Sequence, residues 1–462
     1  MSIIVFSLFF SWLLAFPFEG QVLYAITDRF NIDAHILIFG SILAHFIGLF
    51  ASGFIVKTMK KAKYLMTFSI VLCMLGSVPF FFQPSIIWNI SLLLASLVAG
   101  ASVAAWGHYF KHYTPPNERI KTAADVLIYS NILMIIINMI AIHVSPYIGL
   151  AFSILILGVA LFFQVKLPNG VEQNVKNKSE ELEKLVINPI RPLSFLCFFI
   201  LVITINSGLM YQVINPAFEH HQWLVSWYWA VPYIVALYVV KNLPAKTNRN
   251  YILYVAIAMI GLSFTAFMVL DCSVGSYLIV NTLMLGACGV YDLFWWSILG
   301  EMLDYHANPA KILGIGLSAN VLGVLVGGVL GNIIVTMGVK YGTSILALVI
   351  VFFTLIILPL LHKHLSILLK NHVFLATLNE MVPTKQNETI NNFIMIGNLT
   401  ARESEIAELL LKGRTYKMIA NELYLSENTI KTHIKNIYSK FNVKSKSELV
   451  VLLMEKQSTI SK

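Results

Sequence analysis

Apolar positions along the 462 residues fall into two regimes. Between residues 2 and 361, apolar runs of about 18 residues or more recur, each long enough for a helix to cross a hydrocarbon layer. Twelve spans are predicted: 2–24, 35–56, 64–82, 86–107, 122–145 and 147–165, then 193–214, 223–240, 251–270, 273–298, 312–337 and 341–361. The hydrophilic stretch from Lys166 to Pro192 divides them six and six. From Leu399 onward the pattern changes to the amphipathic period of short soluble helices, with polar breaks between them.

The stop signals of this last part are local. Thr400 with Glu403 forms a capping box, in which each side chain satisfies a backbone donor left free at a helix start. Gly413 is expected to end that helix, because glycine takes the left-handed turn cheaply. A second helix is predicted from Thr415 to Leu423, with Tyr424, Leu425 and Ser426 making a tight turn. Ser426 caps a third helix, and Ser445 with Glu448 repeats the capping box for a fourth. In the third helix Ile430, Ile434, Ile437 and Phe441 make one buried stripe, while Asn428, Lys431, Thr432, Lys435 and Ser439 lie on the opposite side. Between Lys412 and Lys446 there are eight Lys or Arg against two Glu. A short turn leading into a basic helix suits duplex DNA: cations neutralise phosphates and short polar groups reach base edges in the major groove. The plain alternative is a solvated basic helix in a small bundle.

The stretch resembles the LuxR-type helix-turn-helix family. The residues that carry the resemblance are Leu399, Thr400, Arg402, Glu403, Gly413, Ile419, Ala420, Leu423, Ser426, Thr429, Ile430, Lys431, His433, Ile437 and Lys440, over roughly 60 of the 462 residues. The resemblance implies double-stranded promoter DNA as partner. Lys431, Thr432 and Lys435 would touch bases, Asn428 would lie on the same face, and Thr429 and His433 would sit nearer the backbone. It also implies a homodimer through the fourth helix. Where the family usually has Asn and Glu in the scaffold helix, this chain has Tyr416 and Met418.

Composition bears on the first four fifths. Hydrophobic residues are 58% and charged residues 12%, with mean hydropathy +0.76, far from a soluble domain. The opening apolar run has no basic leader and no small-residue cleavage site, so it reads as a retained span. Cys73, Cys197, Cys272 and Cys288 are scattered without paired spacing, which suggests neither a disulfide framework nor a zinc site. With the amino terminus in the cytoplasm, the inner loops hold sixteen Lys or Arg, from Lys57 to Lys311, and the outer loops only Arg29 and Lys340. That bias orients the bundle. Both termini are therefore expected in the cytoplasm of a bacterium, in a multi-pass protein of its cell membrane, with the DNA-binding part on the chromosome's side.

Two groups of six spans resemble the major facilitator superfamily, whose halves surround a central cavity. That family's signature between spans two and three would place Asp and Gly where this chain has Lys57 and Lys60. Acidic groups at depth are candidate chemistry, since a charge at the bilayer centre costs ~2.5–3.5 kcal/mol on insertion scales. Glu19 sits late in the first span and Asp292 inside the tenth. Glu301 and Asp304, at that span's end, are expected to be solvated. Tyr291, Trp295 and Trp296 surround Asp292, and an acid among aromatics suits a small ligand carrying an amine, hydroxyl or ring. For Glu19 and Asp292, ligand or proton binding stands beside an internal pair with Asn131, Asn138, Asn206, Asn281 or Asn320. For the aromatics, plain packing is the alternative. Trp223, Trp227, Tyr228 and Trp229 read as an interfacial belt. His108 and His112 are metal-spaced but lack further ligands, and Gly323, Gly327, Gly328 and Gly331 read as a close helix contact.

The expected organisation is an all-α chain: membrane halves at 1–165 and 193–361, a central cytoplasmic loop at 166–192, a linker at 362–398 and a four-helix DNA-binding domain at 399–462. In the linker the last helix should continue to about Met381, and the remainder, as flexible coil, would reach roughly 20 Å. No nucleophile with a base, phosphate loop or kinase module is evident, so neither an enzyme nor a cofactor is expected. The expected function is a membrane-embedded one-component transcription regulator that senses an unidentified small-molecule ligand. The rival is a major-facilitator-type secondary transporter with a fused regulatory DNA-binding domain.

Overall fold

The computed structural model describes the chain apart from residues 19, 170–189, 244–248, 304–305, 307, 340, 381–382, 413, 415, 444–445, 447, 450–451 and 454–462. Every regular element among the described residues is helical. Among the described residues, eleven helical stretches are long and apolar enough to cross a membrane. They include α3 (Ala34–Ile55), α4 (Met59–Ser77, extended by a 3-10 turn to Phe81), α5 (Ile86–Tyr113), α6 (Arg119–His143) and α7 (Pro146–Val165). The stretch predicted as span 2–24 departs from this: it is two helices, α1 (Ser2–Ala15) and α2 (Gln21–Asp28). The break falls at Pro17, which has no backbone donor, and at Gly20, where a Cβ would lie 1.9 Å from the Ala15 carbonyl oxygen.

The second group begins with α8 (Ile190–Ala217). The predicted span 223–240 falls within the apolar stretch Glu219–Lys241, one of the eleven, where α9 (Gln222–Tyr228) and α10 (Val231–Lys241) meet at a turn, with Pro232 in the first turn of α10. Then come α11 (Arg249–Val269), α12 (Val274–Met302), α13 (Pro309–Thr336) and α14 (Gly342–Glu380). Helices α1 to α7 pack chiefly among themselves, as do α8 to α14. The two groups meet where α3 and α5 lie on α13 and where α6 lies on α9, α10 and α12. Large apolar side chains such as Ile86, Val269, Phe352 and Ile356 face outward. An apolar exterior on helices that satisfy their own backbone is what a bilayer requires, and the protein is a membrane protein.

Glycine allows a close contact between α8 and α13. A Cβ on Gly208 of α8 would lie 2.2 Å from the Val324 carbonyl oxygen, and one on Gly327 of α13 would lie 2.1 Å from that of Ile205. The two backbones therefore touch, as the glycine pattern predicts. At the end of the bundle that carries the basic loops, polar bonds tie the groups together. Arg119 Nη1 donates to the Gly300 carbonyl (2.6 Å), Lys111 Nζ to that of His306 (2.8 Å) and Asn308 Nδ2 to that of Gly53 (2.9 Å). Lys241 is ion-paired with Asp125. Glu301 is buried beside this seam, contrary to the expected solvated position, because α6 covers the end of α12. Asp304 lies outside the described residues.

A second core belongs to the chain's last part. It gathers Ile406 and Leu410 of α16 (Ala401–Leu411), Ile419 of α17 (Tyr416–Glu422) and Ile430, Ile434 and Ile437 of α18 (Glu427–Lys440), with Leu449 and Leu453 from the helical residues beyond. Residues 383–396 also join it. The flexible coil expected there is instead a helix, α15 (Pro383–Ile396), because Ile390 and Phe393 bury themselves against the module and the Phe393 ring stacks on Phe441 at 4.6 Å. Burying two large apolar side chains contributes about 1.5–3 kcal/mol each, enough to order a short segment that is polar elsewhere.

Candidate nucleic-acid interface and membrane polar cluster

The capping box at the start of α16 is complete. Glu403 N donates to Thr400 Oγ1 (3.3 Å), and Glu403 Oε2 accepts from Thr400 N (2.9 Å). The same carboxylate oxygen accepts from Lys440 Nζ at 2.7 Å, and Lys440 also reaches the Asn398 carbonyl (3.0 Å). Lys440, a basic residue of the motif, thus fastens the end of α18 to the start of α16. The local pattern reveals the box but not this 37-residue link. The Lys440 bond, followed by those from Thr400, holds the Glu403 carboxyl down at about 2 from an ordinary 4.5. A depressed carboxylate stabilises the fold above its ordinary value and ceases to do so as pH falls through the folded value. The module should therefore lose this contribution between about 4.5 and about 2. Glu403→Gln should cost about 1–2 kcal/mol at neutral pH. Hydrogen exchange over 401–440 between pH 5 and 2 tests this, and an acid response equal in both proteins would contradict it.

Gly413, Thr415 and Ser445 lie outside the described residues. Ser426 caps α18 by accepting from Thr429 N at 3.1 Å. The turn before it places Tyr424 at φ +53°, and Arg402 Nη2 braces it through the Leu423 carbonyl (3.0 Å). Tyr416 contacts Tyr438 hydroxyl to hydroxyl (3.3 Å), so this departure from the family pattern joins α17 to α18. The isoleucine stripe of α18 is buried, and Asn428, Thr432, Lys435 and Ser439 are exposed on the other side. Thr429, Lys431 and His433 are half-buried. Lys431 Nζ lies 3.1 Å from Glu427, and Thr432 Oγ1 donates to the Asn428 carbonyl (3.1 Å). Among the described residues, ion pairs within the module join Lys412 to Glu408, Arg414 to Glu422, Lys431 to Glu427 and Lys440 to Glu403. Among the described lysines on the outward side of α18, Lys435 is exposed and Lys431 is half-buried beside Glu427.

In the bundle, Glu19 lies outside the described residues. Asp292 accepts from the Tyr233 hydroxyl at 2.7 Å, a partner on α10 and not one of the five asparagines considered. Beside it the Tyr291 hydroxyl meets Ser207 Oγ (3.0 Å) and Cys288 Sγ (2.6 Å), and its ring stacks on Trp295 at 5.0 Å. Trp296 points elsewhere. With Phe6 and Trp106 it forms an aromatic cluster between the two groups, 6.2 and 6.3 Å from their ring centres. His108 and His112 each bond a backbone carbonyl, of Val56 and His108 respectively, which is a packing arrangement. Two clefts, of about 540 Å³ by Met74 and Phe162 and about 380 Å³ by His221 and Trp223, lie away from Asp292.

Comparison with known proteins separates the two parts. The GerE model, bacterial regulatory proteins of the luxR family, matches residues 397–453. The spore germination protein GerE of Bacillus subtilis (strain 168) is 48% identical over 56 residues, 12% of this chain and 76% of that protein. The transcriptional regulatory protein DegU of Brevibacillus brevis is 43% identical over 53 residues, 12% of this chain but only 22% of that one. The bundle is similar to the crystal structure of FucP, a major facilitator superfamily transporter, in its outward conformation. That likeness has a TM-score of 0.58 at 12% identity and covers 79% of this chain and 98% of FucP, so it establishes the fold alone. Through its last helices, joined here to a membrane bundle of major facilitator fold, the chain belongs to the luxR family of bacterial regulatory proteins.

Proposed function

We propose that this protein is a membrane-embedded one-component transcription regulator. Its basic end and both termini face the cytoplasm, and its α18 binds promoter DNA as part of a homodimer. The observation that carries this reading is the α18 surface, where a capped helix turns Asn428, Thr432 and Lys435 outward from a buried isoleucine stripe. On this reading Lys431, Thr432 and Lys435 meet bases, Asn428 flanks them, and Thr429 and His433 approach phosphates. The domain division at 165, 192 and 361 belongs to the same proposal, while the boundary expected at 398 moves to before α15, which is counted as part of the DNA-binding module.

The bundle is the sensor. Its ligand is a small molecule with an amine, hydroxyl or ring, held near Asp292, Tyr291 and Trp295, and Trp296 and Glu19 belong to the same proposed set on the sequence alone. In support, buried Trp295 Nε1 and both side-chain polar atoms of Asn206 lack partners among the described residues. Such groups are expensive in an apolar interior unless something satisfies them. A coupling of ~1–3 kcal/mol between ligand and DNA would change occupancy 5- to 150-fold.

The test uses the full chain in nanodiscs. A duplex selected from a random-sequence pool is titrated with and without a panel of small aromatic amines, and the same compounds are assayed for uptake into proteoliposomes. Binding that shifts DNA affinity without flux supports the regulator. The second reading, a transporter with a fused DNA-binding domain, is favoured by the bundle's fold, and flux abolished in Asp292→Asn would establish it. Absence of any selected duplex would remove the proposed function.

A further inference from the structure

The last membrane helix does not stop at the membrane. The span Gly342–His362 continues unbroken in α14 as far as Glu380. Its extension of 18 residues would reach about 27 Å at 1.5 Å per residue. One proline, Pro359, lies inside this helix, just before the extension. A proline there removes a backbone bond and is the usual place for a helix to bend.

Beyond Pro359, one face is held. Leu361 and Leu365 follow at i and i+4 and are both fully buried in the bundle's core, whereas Leu360 and Ile356 are more than half exposed. At this end α14 packs against the 3-10 turn Pro116–Glu118. That turn belongs to the first group of helices, although α14 belongs to the second. It is stiff, since Pro115 and Pro116 fix its backbone, and both are buried. Arg119 follows it directly, with its fully buried guanidinium bonded to the Gly300 carbonyl of α12, and six residues on Asp125 pairs with Lys241.

We infer that this turn is a seat for α14 through which the bundle governs the DNA-binding module. The inference rests on the regulator reading and gives it a device. The seat has a wall from each group of helices. While Arg119 holds α6 on α12, the turn stays against α14 and the extension keeps one direction. If the groups part at the basic end, the Arg119 and Asp125 bonds break together and the turn withdraws with the first group. The extension then loses a wall and can swing at Pro359. A rearrangement of the bundle thus becomes a change in how firmly the module is presented, with no ligand contact on the module itself.

The test compares wild type, Arg119→Gln and Leu365→Glu, each as the full chain in nanodiscs of phosphatidylethanolamine and phosphatidylglycerol. Hydrogen exchange is read over 363–380, together with affinity for a duplex that the wild type selects from a random pool. Retained protection in α8 and α13 identifies folded protein, and Leu365→Glu attacks the seat independently should Arg119→Gln misfold. The expected result is exchange at least tenfold faster in both variants, with DNA affinity shifted at least fivefold in the same direction. Unchanged exchange in both folded variants overturns the seat. Faster exchange with unchanged affinity overturns its role in coupling while leaving DNA binding intact. If the wild type selects no duplex, the regulator reading fails, and with it the coupling, whereas exchange still decides whether the seat exists.

Discussion

Lys435→Ala should weaken binding of the full chain to its selected duplex by about 1–3 kcal/mol, and more than Lys431→Ala does. Both lysines lie on the outward side of α18, but they begin from different states. Lys435 is exposed, whereas Lys431 is half-buried with its ammonium 3.1 Å from Glu427. To meet DNA, Lys431 must release a partner, and a surface pair of this kind is worth about 0–1 kcal/mol. Its net contribution falls by that amount. A titration over a range of salt distinguishes the two roles a lysine can take. If Lys435 reads a base, its loss relaxes preference at one position of the site. If it meets a phosphate, affinity falls uniformly and the salt slope drops by about one. An affinity unchanged in Lys435→Ala would move the interface off this face of α18.

That face is legible in the sequence because its causes are local. A stripe at helical spacing, a serine cap and a tight turn all lie within a few residues of one another, and each follows from backbone chemistry. The glycine pattern of α13 is local in the same sense. What the sequence conceals are partners set by packing. Asp292 meets Tyr233 across 59 residues, and Arg119 meets Gly300 across 181, which is how a carboxylate beside that seam, Glu301, comes to be buried at a span end where solvation is the ordinary expectation. The first span fails for another reason: hydropathy averages over Pro17 and Gly20, although each is a recognised breaker. Residues 383–396 mislead in the opposite direction. Their mean polarity suggests coil, yet Ile390 and Phe393 lie on one helical face with a core to join. For the residues proposed to read DNA, the sequence locates a polar face, and only binding measurements can assign bases or phosphates within it.

Gly327→Leu should disrupt the membrane bundle while sparing the DNA-binding module. At Gly327 the obstacle to a Cβ is the Ile205 carbonyl oxygen at 2.1 Å, with its carbon at 2.9 Å. Neither atom can rotate away, so α8 and α13 must separate. The separation also strains the bond from Thr204 Oγ1 to the Asn320 carbonyl, 3.2 Å across the same interface. Overpacking a close contact costs about 1–3 kcal/mol when side chains can adjust, and a backbone obstacle should bring the larger part of that range or more. Gly158→Ala is the control, since its Cβ would meet only the end of Met74 at 3.8 Å. Thermal unfolding of detergent-solubilised protein, followed by tryptophan fluorescence, should show a fall of several degrees for Gly327→Leu and little change for Gly158→Ala. Hydrogen exchange over 401–440 should be the same in both, because the module has its own core. Equal melting of the two variants would mean that α8 and α13 do not meet backbone to backbone, and a loss of protection in the module would mean that the two cores do not fold independently.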